Sequence, residues 1–259
     1  MQKKLQSTLA ALPLAEIRYF DSIGSTNDEA LAWATEDARD YSLVMADHQT
    51  TGRGREGRKW ITFPETALAF SLILRPIPEE AQFPSLFTGL GALGLLDALK
   101  TLGLKAKVKW PNDVLVRRKK VAGILVESVW SGDALDTVVL GMGVNVLMGS
   151  NPPDDELLFP ATNVESELGS PPDRLDFLRE ILTGIIKWRS EMRTGSLVNA
   201  WEKALAFKGE LVDVWQGKEE PVTGRILGLE PDGSLRLRTM RDDKIITIQV
   251  GEIHLRPAV

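Results

Sequence analysis

The sequence predicts an α+β protein, a mixed β-sheet with helices, followed by a small all-β module. Three observations predict it. Strand-like and helix-like stretches are mixed along the chain rather than strictly alternating, which argues against a doubly wound parallel sheet. The stretch from Phe83 to Leu102 has helical periodicity and is almost wholly apolar, as expected of a helix inside a core. After Gly209 the texture changes to short β runs broken by Gly217, Gly224 and Pro231-Asp232-Gly233, which divides the chain into residues 1–208 and 209–259.

The elements follow in order. Ile17 to Phe20 reads as extended, and Ser25-Thr26-Asn27-Asp28 opens a helix, with Ser25 a good N-cap and Asp28 and Glu29 at the positive end of the helix dipole. Leu43 to Ala46 is a short apolar strand, and Thr66 to Leu74 is another, ended by Arg75-Pro76-Ile77-Pro78. Beyond the buried helix come strand-like runs at Ala106 to Trp110, Val114 to Val116, Val121 to Val129 and Leu135 to Val146. The turn signals Pro111-Asn112-Asp113, Arg117-Arg118-Lys119 and Ser131-Gly132-Asp133 separate them. Asn151 to Pro160 is acidic and proline-rich, hence a loop, while Asp173 to Arg193 and Ser196 to Leu205 have amphipathic helical patterns.

The 259 residues are 43% hydrophobic and 26% charged, enough apolar material for a core. A net charge of -5 predicts no general affinity for nucleic acid. No cysteine is present, which excludes disulfides, thiolate zinc sites and thiol nucleophiles. The two histidines, His48 and His254, exclude a histidine-rich metal centre. Neither a signal peptide behind Met1-Gln2-Lys3-Lys4 nor a membrane span is legible, so a cytoplasmic protein is expected.

The densest chemistry lies in Gln49-Thr50-Thr51-Gly52-Arg53-Gly54-Arg55-Glu56-Gly57-Arg58-Lys59-Trp60, where three glycines alternate with four cationic side chains. Glycine lets successive N–H groups turn toward one anion, and arginine and lysine supply charge, so the segment suits phosphate or carboxylate. Gly52 to Gly57 satisfies G-x-G-x-x-G, but Trp60-Ile61-Thr62-Phe63-Pro64 is a poor helix start, so the dinucleotide fingerprint fails on context. The phosphate-binding P-loop fails too, because Arg58-Lys59 stands where Lys-Ser/Thr is required. Alone, such a loop also reads as an exposed surface loop.

Lys109-Trp110-Pro111-Asn112-Asp113 reads either as a β-turn with an exposed lysine or as the border of a nucleotide site, with Asn112 a hydrogen-bonding partner and Lys109 near phosphate. Lys120 ends a basic run that suits a hairpin tip. By the two-residue period it shares a face with Ala122, Ile124 and Val126. If that face is interior, Lys120 is a buried charge in need of an anion, and Gly123 leaves room beside it. Gly141-Met142-Gly143-Val144-Asn145 is either a strand with a bulge or a flat floor for a ligand, with Asn145 its polar contact.

Taken together, Ser25-Thr26-Asn27, the Gln49 to Trp60 loop, Lys109 to Asp113, Lys120 to Glu127 and Gly141 to Asn145 resemble, in order and spacing, the biotin–protein ligase family. The resemblance covers nearly the whole chain. It implies a catalytic domain like the class II aminoacyl-tRNA synthetase core and a C-terminal SH3-like β barrel. Some family members carry a winged helix-turn-helix before the Ser-Thr-Asn block. Here roughly two dozen residues precede Ser25, too few for one, so a monofunctional enzyme without repressor function is expected.

The implied reaction activates biotin with ATP to biotinyl-5′-AMP and transfers it to a lysine of a biotin carboxyl carrier protein, with Mg²⁺ accompanying ATP through ligands the sequence does not assign. The resemblance puts Lys120, Arg53 and Arg55 in catalysis. It puts Ser25, Thr26, Asn27, Gln49, Gly52, Arg53, Gly54, Arg55, Lys120, Gly123 and Gly143 with biotin, and Arg55, Arg58, Trp60, Lys109, Asn112 and Asn145 with ATP. The Gly52 to Lys59 loop is expected to be poorly ordered without biotin and ordered with it. A homodimer is compatible with the family, whereas DNA and membranes are not expected partners. Alternatives are a lipoate ligase or octanoyl transferase, the latter generally needing a cysteine this chain lacks, a nucleic-acid module built on the arginine loop, and a biotin sensor without transfer.

Overall fold

The computed structural model describes residues 1–36, 38–152, 159–216, 220–249 and 253–257, the last five for their backbone only. Residues 153–158 of the expected acidic loop, Gly217 and the His254 side chain lie outside the described set. The chain opens with helix α1 (Gln2–Leu9), which the sequence analysis does not anticipate; its signal is only Leu5 and Leu9, one turn apart and both buried. Strand β1 (Ile17–Ile23) leads through α2 (Thr26–Ala34) to β2 (Ser42–Gln49), and these two strands are parallel. After the arginine loop, β3 (Ala67–Leu74) runs antiparallel to β2.

The short α3 (Pro78–Ala81) and the buried α4 (Leu86–Thr101) precede an antiparallel meander. It comprises β4 (Ala106–Lys109), β5 (Asp113–Val116), β6 (Lys119–Ser131) and β7 (Ala134–Asn145). β7 closes onto β3, giving a seven-stranded sheet in the order β1-β2-β3-β7-β6-β5-β4. The tight turn between β5 and β6 holds Arg117 and Arg118 at positive φ (48° and 64°) without a glycine. The helices α5 (Val164–Leu168), α6 (Arg174–Ser190) and α7 (Ser196–Ala204) complete this part.

Strand alternation gives the sheet two different faces. Leu68, Phe70 and Leu72 of β3 and Leu140, Met142 and Val144 of β7 join the main core with α4 and α6. The opposite face carries Ser71, Gly141, Gly143 and Asn145, and α2 covers part of it by packing Ala30, Trp33 and Ala34 on Val44, Ile73 and Val139. On the core side α4 crosses α6 where Gly94 meets Gly184; a Cβ at Gly94 would lie 2.6 Å from Ile185, so only glycine permits that approach.

The C-terminal module is a five-stranded antiparallel sheet of β8 (Leu211–Gln216), β9 (Val222–Leu229), β10 (Leu235–Thr239), β11 (Ile245–Ile248) and β12 (Ile253–Pro257). Its order is β11-β10-β9-β8-β12. No helix of the described residues is long and apolar enough to cross a membrane.

Trp110 ties the module to the larger sheet. Its ring is 1% exposed and its indole N–H donates to the Gly233 carbonyl at 3.0 Å. Gly233 also packs against Trp201, and the Leu229 N–H donates to Glu202 at 2.8 Å. The idea that Trp110 borders a ligand is therefore corrected: its ring is spent on the joint. Trp110→Phe keeps an apolar ring but leaves a buried carbonyl without its donor, and is expected to destabilise the protein by about 1–3 kcal/mol in urea denaturation. An unchanged midpoint would contradict this assignment.

Candidate functional site

The polar face of the sheet, the start of α2 and the arginine loop enclose two adjoining cavities. The narrower, about 90 Å³, is lined by Ser25, Thr26, Asn27, Gln49, Arg55 and the backbone of Gly123 and Gly143, among others. The wider, about 300 Å³, is lined by Arg58, Lys59, Ile61, Asp113, Asn145 and Phe159. Arg58, Lys59, Trp60 and Lys120 line both.

Lys120 reaches this position through a β-bulge. Leu115 pairs with Lys120 and Val114 with Ala122, so two residues of β6 oppose one of β5 and the alternation resets at Val121. Both Val121 and Ala122 enter the core, and Lys120 moves to the face of Gly123, where a Cβ would lie 3.3 Å from its Nζ. The expectation that Lys120 shares a face with Ala122, Ile124 and Val126 is thus wrong, because strict period-two counting does not survive a bulge. The Lys120 backbone is held as well: its N–H donates to the Pro160 carbonyl at 2.7 Å and its carbonyl accepts from Thr162 at 2.8 Å.

Asp113, outside the set expected from sequence, organises the cations. Its Oδ1 lies 2.6 Å from Lys120 Nζ and its Oδ2 lies 3.2 Å from Lys109 Nζ. Burial alone would raise this carboxyl, but the two ammonium groups outweigh it and hold it at about 2. Burial pushes the Lys109 ammonium down more than Asp113 pulls it up, with Lys120 adding to the depression. A signal for Asp113 is its pairing opposite Lys109 across the β4–β5 turn.

The arginine loop is a small hairpin, with Arg53 bridged to Lys59 and a single 3₁₀ turn at Arg55–Gly57. The fork of Arg53 closes on Glu127 at 3.0 and 2.8 Å, and Nη2 also lies 2.6 Å from Asp28. Arg53 therefore staples the loop to β6 and α2 while lining the narrower cavity. Arg55 is half-buried, donates to Asn112 Oδ1 at 3.3 Å, and has no carboxylate at ion-pair distance among the described residues. Burial lowers its pKa, the mark of a cation short of solvent. Arg58 is paired with Glu56 at 3.0 Å.

The Ser-Thr-Asn block divides its work. Ser25 sits at the N-cap position of α2, yet its side chain makes no capping bond, which corrects that expectation and leaves the hydroxyl for the cavity. Thr26 donates to Gln49 Oε1 from its N–H at 2.8 Å and from its hydroxyl at 3.0 Å. Asn27 donates to Glu127 at 2.7 Å and accepts from Ser71 at 2.6 Å, so its amide is committed within the protein.

Two glycines of β7 make room on the cavity floor. A Cβ at Gly141 would lie 1.9 Å from Asn27, and one at Gly143 would lie 2.1 Å from the Trp60 ring. Asn145, 2% exposed, donates to the Thr162 carbonyl at 3.1 Å, while its Oδ1 has no partner. Trp60 Nε1 is likewise buried without a partner. Buried polar atoms without partners are costly. Both residues line the cavities, with these two atoms turned into the protein, Trp60 Nε1 against the backbone of Gly143. Among the described residues no group of three or more His, Cys, Asp or Glu side chains could hold a metal ion.

Comparison with known proteins places these residues in a family context. Residues 19–145 match the model of the Biotin/lipoate A/B protein ligase family. The bifunctional ligase/repressor BirA of Bacillus spizizenii is 33% identical over 232 residues, covering 88% of this chain and 71% of that protein. The biotin–[acetyl-CoA-carboxylase] ligase of Paracoccus denitrificans is 34% identical over 83% of this chain and 90% of its own length. Among solved structures, the Aquifex aeolicus biotin protein ligase in complex with biotin and ATP superposes with a TM-score of 0.80 at 28% identity, covering 95% of this chain and 100% of that one.

The Asp113 pairing has a pH signature. A carboxyl at about 2 when folded contributes stability that is complete above its unfolded pKa and is lost as pH falls toward the folded value. Asp113→Asn is expected to be less stable than wild type by about 2 kcal/mol at neutral pH, with the gap shrinking between about pH 5 and pH 2. Denaturant titrations across that range measure it, and a gap independent of pH would rule this pairing out as its source.

Proposed function

The chain belongs to the Biotin/lipoate A/B protein ligase family, and on that premise we propose that it is a biotin–[acetyl-CoA-carboxylase] ligase acting through the residues of this site. It activates biotin with ATP to biotinyl-5′-AMP and passes the acyl group to a lysine of a biotin carboxyl carrier protein. The observation that carries the assignment of roles is the place of Lys120 at the junction of the two cavities. A carboxylate in one cavity meets a phosphate in the other at its ammonium.

Biotin occupies the narrower cavity, its ureido ring against Ser25, Thr26 and Gln49 and its tail along Gly123 and Gly143, with Asn27 fixing the floor. ATP occupies the wider one, beside Arg58, Trp60 and Asn145, with Lys109 held behind the lining by Asp113 and Phe159. Asn112 and Arg55 line the narrower cavity, hydrogen-bonded to each other. In the first step a biotin carboxylate oxygen attacks the α-phosphorus, and the bond to pyrophosphate breaks. Both reactants are anions, so the obstacle is repulsion, and Lys120 with Arg55 offsets it from fixed positions.

In the second step the lysine nitrogen attacks the acyl carbon. The C–O bond breaks with its electrons leaving on AMP, and the nitrogen releases a proton as the amide forms. No protein nucleophile is needed, in keeping with a chain without cysteine.

Mg²⁺ would enter with the nucleotide and neutralise phosphate charge, held by phosphate oxygens and water. Asp113, the carboxylate among the described lining residues, is already paired with Lys109 and Lys120. Repressor activity and a homodimer form no part of the proposal.

Pyrophosphate release from Mg·ATP tests this reading. It is expected to require biotin, to ignore lipoate, and to fall by about 10²–10³ in Lys120→Ala. Release driven by lipoate, or a Lys120→Ala variant as fast as wild type, would overturn the substrate or the role of Lys120 respectively.

A further inference from the structure

A second cationic surface lies beside the reaction centre, and the reaction steps above do not use it. It is an open groove of about 510 Å³, lined by Lys105, Lys107, Arg118, Lys203, Phe207 and Lys208, among others. With Arg117 it carries six cations against one carboxylate, Glu210, in a chain whose net charge is -5. Part of that charge is paired: Arg118 bonds Glu210 at 3.0 Å, Lys208 bonds Glu202 at 2.7 Å, and Arg117 lies 3.4 Å from Glu167. Lys105, Lys107 and Lys203 are exposed and have no carboxylate at ion-pair distance among the described residues. Lys107 donates to the Lys203 carbonyl at 3.0 Å.

The groove continues the face of the sheet that bears the site. Along β4, Lys107 and Lys109 point the same way, and they pair with Leu115 and Asp113 of β5. Leu115 in turn pairs with Lys120. A single aromatic contact divides groove from cavity: Phe207, lining the groove, meets Phe159, lining the wider cavity, edge to face at 6.5 Å. Lys109 sits 4.9 Å over Phe159 and Arg118 sits 4.6 Å over Phe207, so each ring carries a cation on its own side.

We propose that this groove docks an acidic face of the protein that accepts biotin. The proposal rests on the ligase reading and deepens it. The nucleophile of the second step is a lysine, an ammonium ion in solution that gives up a proton to water before its nitrogen attacks. The centre it approaches already holds Lys109, Lys120 and Arg55. An ammonium group without acidic neighbours, or a basic segment, is repelled there. A lysine flanked by carboxylates is drawn in, because the groove attracts its carrier while the lysine crosses the Phe159–Phe207 wall. The groove's width and its spread of single charges suit a folded protein surface better than a compact anion such as pyrophosphate.

The test uses full-length protein with Lys105→Glu, Lys107→Glu and Lys203→Glu combined, and a second variant with alanine at the same positions. Three rates are read: biotin-dependent pyrophosphate release, trapping of the acyl adenylate by hydroxylamine, and transfer to an isolated biotin carboxyl carrier domain. The first two are expected to stay within about twofold of wild type. Transfer to the carrier domain is expected to fall at least about tenfold in kcat/KM at low salt in the glutamate variant and less in the alanine variant. The difference should shrink as ionic strength rises. Exchanging acidic for basic residues around the target lysine of the carrier should restore transfer by the glutamate variant.

Unchanged transfer overturns the proposal. So does pyrophosphate release that falls in step with transfer, which would assign the groove to the nucleotide or its product. Wild-type protein that releases no pyrophosphate with biotin overturns the ligase reading itself, and the docking proposal with it.

Discussion

One carboxylate, Asp113, sets the terms for the polar face of this sheet. Two ammonium groups flank it within 2.6 and 3.2 Å in a nearly dry environment. Without it, Lys109 and Lys120 would face one another at short range with no counter-charge between them. With it, both are held at fixed positions, and the depressed carboxyl shows that the attraction exceeds the cost of burial. The rest of the site follows. The bulge at Val121 turns Lys120 toward Asp113, and the 160–162 segment pins the Lys120 backbone from the other side. A catalytic cation held this way needs no reorganisation when two anions arrive beside it.

The remaining cations follow the same logic with different partners. Arg53 is neutralised by Glu127 and Asp28, which makes it an anchor. Among the described residues Arg55 donates to the neutral Asn112 and meets no carboxylate, which leaves its charge for a ligand. The arginine loop thus contains both its own fastening and the charge it presents. Trp60, lodged over Gly143, closes the loop on the sheet and separates the two cavities. Trp110 carries the same block of sequence into the joint with the C-terminal module, so the position of Asp113 depends on that module through three residues of chain.

Much of this was legible in the sequence, and the misses have physical causes. The strands of the meander, the buried α4 and the β-rich tail follow from apolar period and turn residues, which depend only on local pattern. The cationic glycine loop and Lys120 were legible because charge beside glycine is rare in a strand and needs an anion. The facing of Lys120 was not, since a bulge is set by pairing with the neighbouring strand and leaves no mark in the period. Ser25 has the chemistry of a cap, but whether its hydroxyl turns to the backbone or to a cavity is decided by packing. Glu127 and Asp113 stand inside the recognised blocks, and only the fold shows that their partners are Arg53, Lys109 and Lys120. The short helices α1, α3 and α5 have too few turns for a periodic signal.

The central claim is that a carboxylate from one cavity attacks the α-phosphate of a nucleotide in the other, at Lys120. Oxygen labelling follows that bond directly. Biotin carrying ¹⁸O in its carboxylate, incubated with Mg·ATP and a carrier domain, is predicted to leave one labelled oxygen in the AMP produced, because the attacking oxygen remains on phosphorus when the acyl carbon is transferred. Label found in inorganic phosphate with ADP as the product would mean attack at the γ-phosphate, and would contradict the arrangement of the site described above.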